Sequence, residues 1–127
     1  QSSPLETQTI QSTIGHLLPQ SREQVVPYAQ DLGYKDLPLA GQQSYTLVRG
    51  RDTPQSPRGY LGRAGLYEVM DVTEEIQNLI VKQATSAEIQ RMAVQQGMIT
   101  MRQDGYLKAL SGITTLEEVN RVAADTA

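Results

Sequence analysis

Residues 97–119 read GMITMRQDGYLKALSGITTLEEV, and this stretch decides the fold of the second half of the chain. Gly97 and Gly112 stand where helices end, because glycine adopts the left-handed conformation that commonly follows a helix. Between them the apolar spacing predicts a helix over residues 101–111, with Leu107 and Leu110 facing inward. The run TTLEE at residues 114–118 is a capping-box pattern, so a last helix should begin there.

Two further helices are predicted upstream of this stretch. Thr73 is followed by two glutamates, which places a cap and two acids at a helix N-terminus. The run TSAE at residues 85–88 is a second capping-box pattern, and Gly97 would end the helix that it begins. The apolar residues that should face inward on these helices and on the last one are Val72, Ile76, Leu79, Ile80, Ile89, Met92, Ala93, Leu116, Val119 and Ala123. We therefore predict four short helices in the second half.

The first half is interrupted, since all six prolines of the chain precede residue 58. Residues 7–18 and 21–32 could form helices, although Pro27 would shorten the second of them. Residues 44–48 and 60–70 carry β-branched and aromatic side chains that suit short strands, with a bend at the glycines of the second segment. The predicted class is therefore mainly α with a small β component: a loop-rich subdomain over 1–58, then a hairpin-led helical domain over 59–127.

The composition excludes several kinds of site. The chain has no cysteine, so thiolate metal sites, Fe–S clusters and cysteine nucleophiles are absent. It has one histidine, His16, which is more simply a surface residue of the first helix than a general base. The glutamates fall in the first turns of predicted helices, where capping explains them without metal or acid–base work. The net charge of −3 argues against a nucleic-acid partner.

Three segments together resemble a known family. Residues 59–70 read GYLGRAGLYEVM, residues 97–105 read GMITMRQDG, and residues 112–119 read GITTLEEV, followed by Arg121 and Val122. In this order and at these distances they resemble the C-terminal part of the traffic ATPases of type II secretion and type IV pilus assembly. The resemblance points to the following residues as candidates for motif or interface roles: Gly62, Arg63, Gly65, Tyr67, Glu68, Arg102 and Asp104.

Upstream of these segments the sequence departs from the family pattern. Many members hold zinc in a subdomain with two Cys-x-x-Cys pairs, and the resemblance places the four ligand positions at Leu18, Ser21, Asp52 and Gln55. None of these residues is a cysteine, and leucine cannot bind a metal. We therefore expect a degenerate, metal-free counterpart of the zinc subdomain.

The family's catalytic loop is also absent from the sequence. A Walker A loop needs a lysine that follows a glycine and precedes Ser or Thr, and the three lysines, Lys35, Lys82 and Lys108, do not meet this condition. We therefore expect no nucleotide-binding or catalytic residue in this chain and no ATP hydrolysis by it alone. By resemblance, ATP and Mg²⁺ belong to a longer parent protein of which this chain would be a part.

The resemblance also implies partners and a location. The partners would be the rest of the parent ATPase, neighbouring subunits of a hexamer and the platform proteins of the inner membrane. The chain would lie in the cytoplasm at the inner face of the bacterial inner membrane, touching the membrane only through those partners. The implied role is an accessory one, in subunit packing and in coupling ATP hydrolysis to the platform.

One cluster of charge and two other functions stay open at this stage. Arg49, Arg51, Arg58 and Arg63 lie close together in sequence and could bind a phosphate or an acidic partner, or could simply line a solvated loop. Short capped helices also describe small helical DNA- or protein-binding regulators, although the acidic helical half argues against DNA. An independent enzyme is disfavoured by the scarcity of titratable groups.

Overall fold

The computed structural model describes residues 1–24, 27, 37–49, 54 and 62–123. Five α-helices form in this part of the chain: α1 (Pro4–Ile14), α2 (Glu74–Val81), α3 (Ser86–Gln95), α4 (Met101–Leu110) and α5 (Leu116–Ala123). Two short 3₁₀ turns, Gly15–Leu17 and Arg22–Gln24, follow α1. None of the described helices is long and apolar enough to cross a membrane.

Helix α1 begins earlier than the apolar spacing predicts. Ser3 is its N-cap: the Ser3 hydroxyl accepts from the backbone N–H of Glu6 at 3.2 Å, and the Glu6 carboxylate accepts from the N–H of Ser3 at 2.9 Å. Pro4 occupies the first helical position, where its missing N–H costs nothing. The helix ends at Ile14 rather than running to residue 18, because the chain tightens into the 3₁₀ turn.

The four helices of the second half confirm their prediction. Thr73 caps α2, and Thr85 with Glu88 forms the predicted capping box of α3. Gly97 and Gly112 follow α3 and α4 with φ of +101° and +82°, the left-handed region that glycine adopts without strain. At α5, the Thr115 hydroxyl accepts from the N–H of Glu118 at 3.2 Å, which is one half of the predicted box.

The predicted strands do not form in the described residues. Residues 44–48 and 63–70 run without helix, and neither segment has a strand partner among them. Tyr45 instead pairs with the chain terminus, since its carbonyl accepts from the N–H of Ser2 and its N–H donates to the Ser2 hydroxyl. Only the first of these bonds joins backbone to backbone, and a side chain accepts the second. The predicted domain boundary at residues 58 and 59, and most of the predicted helix at 21–32, lie outside the described residues.

One hydrophobic core joins the two halves of the chain. It is built from α1, the residue after the first 3₁₀ turn, two residues of the 37–49 segment, α4 and α5; its fully or almost fully buried members are Ile10, Ile14, Leu18, Leu37, Tyr45, Tyr106, Leu107, Ala109, Leu116, Val119 and Ala123. Helices α2 and α3 pack on each other beside this core. They bury only Ile76 and Ala93, so this pair has less apolar support than the rest.

Candidate functional site

Residues 62–70 are the described part of the first segment that resembles the traffic ATPases, and we call them the resemblance segment. Two hydrogen bonds join this segment to the N-terminus of α4. The backbone N–H of Tyr67 donates to Oδ2 of Asp104 at 3.0 Å. The backbone N–H of Met101 donates to Oε2 of Glu68 at 2.9 Å. Met101 is the first residue of α4, and its N–H has no partner within the helix, so the remote carboxylate of Glu68 caps it. We call these contacts the junction.

Lys108 completes the junction from the next turn of α4. Its ammonium forms an ion pair with Asp104, four residues earlier on the helix, and lies 4.9 Å from the centroid of the Tyr67 ring. The side chains of Lys108 and Asp104 are only 13% and 15% exposed. The two charges are therefore partly shielded from water, and the cation also rests on an aromatic face.

Gly65 makes room for the Tyr67 ring. A Cβ at position 65 would lie 2.4 Å from the Tyr67 hydroxyl, closer than any side-chain carbon can approach. The ring therefore lies close to the bare backbone of Gly65 and beside Lys108. The glycine and the tyrosine of the resemblance segment thus act together to place the junction.

Arg102 lies next to the junction but serves another contact. Its guanidinium carbon is 5.3 Å from the centroid of the Tyr106 ring, and one of its nitrogens donates to the Tyr106 hydroxyl at 3.2 Å. That hydroxyl in turn donates to Oδ1 of Asn120 at 3.0 Å. The chain of contacts ties α4 to α5 and leaves Nε of Arg102 buried without a partner among the described residues.

Gly62 and Arg63 lie away from the junction. Both residues are exposed, and they line a groove of about 530 Å³ between the resemblance segment and α5. No ion pair of Arg63 is present among the described residues. The structure therefore brings together Gly65, Tyr67, Glu68 and Asp104 of the predicted set.

Arg49 of the predicted basic patch binds two carboxylates of its own chain. Its guanidinium lies 3.1 Å from Glu6 of α1 and 3.2 Å from Glu117 of α5. The hydrogen bond from the Ser3 backbone and the nearby Arg49 charge lower the pKa of Glu6. Arg49 thus bridges two helices, while Arg51 and Arg58 lie outside the described residues. The patch as a whole stays a prediction.

Of the four positions that correspond to the family's zinc ligands, and that we expect to be metal-free, the structure describes two. Leu18 is fully buried in the hydrophobic core, which gives this side chain a packing role, and Ser21 is exposed. Asp52 and Gln55 lie outside the described residues. Across residues 1–24, 37–49 and 62–123, no group of three or more His, Asp and Glu side chains could hold a metal ion.

The contacts of the junction attach the resemblance segment to α4. The junction contains carboxylates, an ammonium and backbone amides that satisfy one another. His16, the single imidazole, is exposed and lies on the turn after α1, not at the junction. The titratable groups at the junction are therefore engaged in holding the segment on the helix.

Comparison with known families decides the relationship. The family model of the type II/IV secretion system proteins matches residues 2–121. The chain belongs to this family. Type II secretion system protein E of Xanthomonas campestris pv. campestris is 43% identical to this secretion-family chain over 79 residues, which are 62% of the chain and 14% of that protein.

Two pilus assembly proteins are also similar to this chain over part of its length. The type IV pilus assembly ATPase PilB of Pseudomonas aeruginosa is 48% identical over 67 residues, which are 53% of the chain and 12% of that protein. PilB of Thermus thermophilus is 49% identical over 61 residues, which are 48% of the chain and 7% of that protein. The chain therefore corresponds to a small share of the length of the relatives that it matches.

Sequence reasoning missed the residues that complete the site. The ion pair of Lys108 could have been predicted, because Lys108 stands four residues after Asp104 on a predicted helix, where opposite charges lie close together. The capping box of Thr100 and Gln103 at α4 could also have been predicted from its Thr-x-x-Gln spacing. No local sequence pattern indicated the contact between Tyr67 and Asp104, since the two residues are 37 positions apart.

Proposed function

We propose that this chain is a non-catalytic accessory domain of a secretion or pilus-assembly ATPase. In the longer protein it follows the nucleotide-binding core, supports packing between subunits, and helps couple ATP hydrolysis to the assembly platform of the inner membrane. Its location is then the cytoplasmic face of that membrane. The family membership and the small share of each relative's length support this placement.

The junction is the observation that carries the proposal. The resemblance segment is held on α4 by hydrogen bonds from Tyr67 to Asp104 and from Met101 to Glu68. While these bonds are made, they transmit a shift of the segment to the helix, because each bond constrains the distance and the direction between the two elements. A domain that relays movement needs this kind of link and needs no catalytic group of its own.

Nucleotide binding tests the non-catalytic part of the proposal. Titration of the 127-residue chain with Mg-ATP in a calorimeter should give no binding heat at protein concentrations of tens of micromolar. Binding with a Kd in the low micromolar range would contradict the proposal, because the chain would then carry its own nucleotide site.

Transport in the complete ATPase tests the coupling part. The substitution Glu68→Ala removes the acceptor for the Met101 N–H, so we expect transport to fall several-fold while ATP hydrolysis per subunit changes less. Glu74→Ala is the matched control, since Glu74 is an exposed glutamate in the first turn of α2 and lies outside the junction. Equal losses of hydrolysis and transport in Glu68→Ala would contradict a coupling role.

A further inference from the structure

Residues 67–72, which read YEVMDV and are called the strap below, lie on the surface of the bundle with little apolar burial. All six residues are exposed, and Val69 and Tyr67 expose 76% and 67% of their surface. Burial of apolar surface is the main source of local stability, so this segment receives little of it. What holds the strap in place must therefore be polar.

The chain is also anchored just outside the two ends of the strap. Before it, Leu66 packs against the hydrophobic core. After it, the Thr73 hydroxyl bonds to Oε1 of Gln96 at 2.8 Å, which fixes the start of α2 to the end of α3. The six strap residues thus span two fixed points, as a segment must if it is to detach without unfolding the bundle.

Between these points the strap does not pack closely on the helices. A groove of about 440 Å³ is lined on one side by Tyr67, Val69 and Asp71 of the strap, and otherwise mainly by the end of α3, the loop after it and α4, which are called its floor below. The apolar residues of that floor are Ala93, Met98, Ile99 and Leu107. The strap therefore stands over unfilled space at Val69 and Asp71 and is fixed mainly by the junction at Tyr67 and Glu68.

We propose that the strap detaches from α4 as a unit of its own while the helical bundle stays folded. Lys108 is the positioning residue, because it holds the Asp104 carboxylate that accepts the Tyr67 N–H and also contacts the Tyr67 ring. Detachment releases the Tyr67 and Met101 amides and opens the apolar floor of the groove. This inference goes beyond the accessory role proposed above and does not depend on it.

Native-state hydrogen exchange of the 127-residue chain, followed by NMR, tests the inference. The amides of Tyr67 and Met101 should show protection at least tenfold lower than that of Leu107 in α4, with little dependence on added denaturant. Equal protection and equal denaturant dependence would overturn the proposal, because the strap would then open only in global unfolding. A Tyr67 amide without any protection would also overturn it, because the strap would not be attached.

Two lysine variants test the role of Lys108. Lys108→Met keeps the length of the side chain and removes the charge, so Tyr67 protection should fall roughly fivefold while Leu107 protection changes little. Lys82→Met is the matched control, since Lys82 is exposed at the end of α2 and should leave both amides unchanged. An equal loss of protection at Tyr67 and Leu107 in Lys108→Met would show a general stabilising role and overturn the assignment.

Discussion

Gly105 of α4 lies against Val119 of α5 so closely that no side chain fits between them. A Cβ at position 105 would stand 2.5 Å from Cγ1 and 3.0 Å from Cγ2 of Val119, and both residues are buried. The backbone of α4, the helix that carries the junction, therefore touches a side chain of α5. Glycine normally weakens a helix interior, and here the close approach compensates for that cost.

Substitution of this glycine should destabilise the protein. In Gly105→Ala, the gain of about 1 kcal/mol in helix propensity is set against an overpacking cost of about 1–3 kcal/mol, so we expect a net loss of up to about 2 kcal/mol in the free energy of unfolding. Chemical denaturation followed by circular dichroism measures the change. Gly15→Ala is the matched control: the nearest atom is 3.9 Å away and φ is −53°, so this variant should be neutral or slightly stabilised. A stabilised Gly105→Ala would contradict the close contact.

Tyr45 carries a buried hydroxyl without a hydrogen-bond partner among the described residues. Removing a polar group that lacks a partner relieves a desolvation cost, so Tyr45→Phe should be neutral or stabilised by up to about 1 kcal/mol. Tyr106→Phe is the comparison variant, because the Tyr106 hydroxyl bonds to Asn120 and Arg102. That variant should lose about 1–2 kcal/mol in thermal or chemical unfolding. Equal losses in the two variants would show that the Tyr45 hydroxyl is satisfied in solution.

Glu68 should stabilise α4 although it lies 33 positions from the residue that it caps. Glu68→Ala leaves the Met101 N–H without its acceptor, and we expect a loss of about 0.5–1 kcal/mol in unfolding free energy. Glu68→Gln keeps an oxygen acceptor and removes the charge, so its loss should be smaller. The contact would be unimportant for stability if both variants unfolded at the wild-type denaturant concentration.

The helices could be predicted from the sequence because their signals are local. Thr85 and Glu88 stand three residues apart, as the side chains of a capping box must, and the structure contains that box. The start of α1 carried the same signal in Ser3 and Glu6, but its apolar spacing is weaker there, and the helix was predicted to begin at residue 7. Local chemistry therefore identified the elements better than it placed their ends.

Only part of the membership of the site could be predicted from the sequence. The resemblance to the secretion ATPases named Gly65, Tyr67, Glu68 and Asp104, and these four meet at the junction. Which atoms join them depends on how α4 packs beside the strap, and no periodicity carries that information. The prediction of short strands was wrong for the same reason. Residues 44–48 have suitable side chains, but a strand also needs a partner strand. In the described residues, Tyr45 of this segment bonds to Ser2 instead.

The Glu6 carboxylate, which accepts from the Ser3 backbone and pairs with Arg49, should make stability depend on pH. The Ser3 backbone hydrogen bond and Arg49 lower the pKa of Glu6 in the folded chain below its unfolded value. The folded state therefore gains stability from the ionised carboxylate above the unfolded pKa, and this gain is lost as pH falls through the folded pKa. We expect the unfolding free energy of the wild type to exceed that of Glu6→Gln by about 0.5 kcal/mol at pH 7. The value is small because the Arg49 side chain is 54% exposed.

The measurement is the unfolding free energy of both proteins by urea denaturation between pH 7 and pH 3. The difference between them should shrink as the pH falls through the folded pKa of Glu6. Glu118, whose pKa is lowered by its hydrogen bond to Arg121, titrates in both proteins and cancels in the difference. A difference that stayed constant over this range would show that the Glu6 charge contributes nothing and that only the shape of its side chain matters.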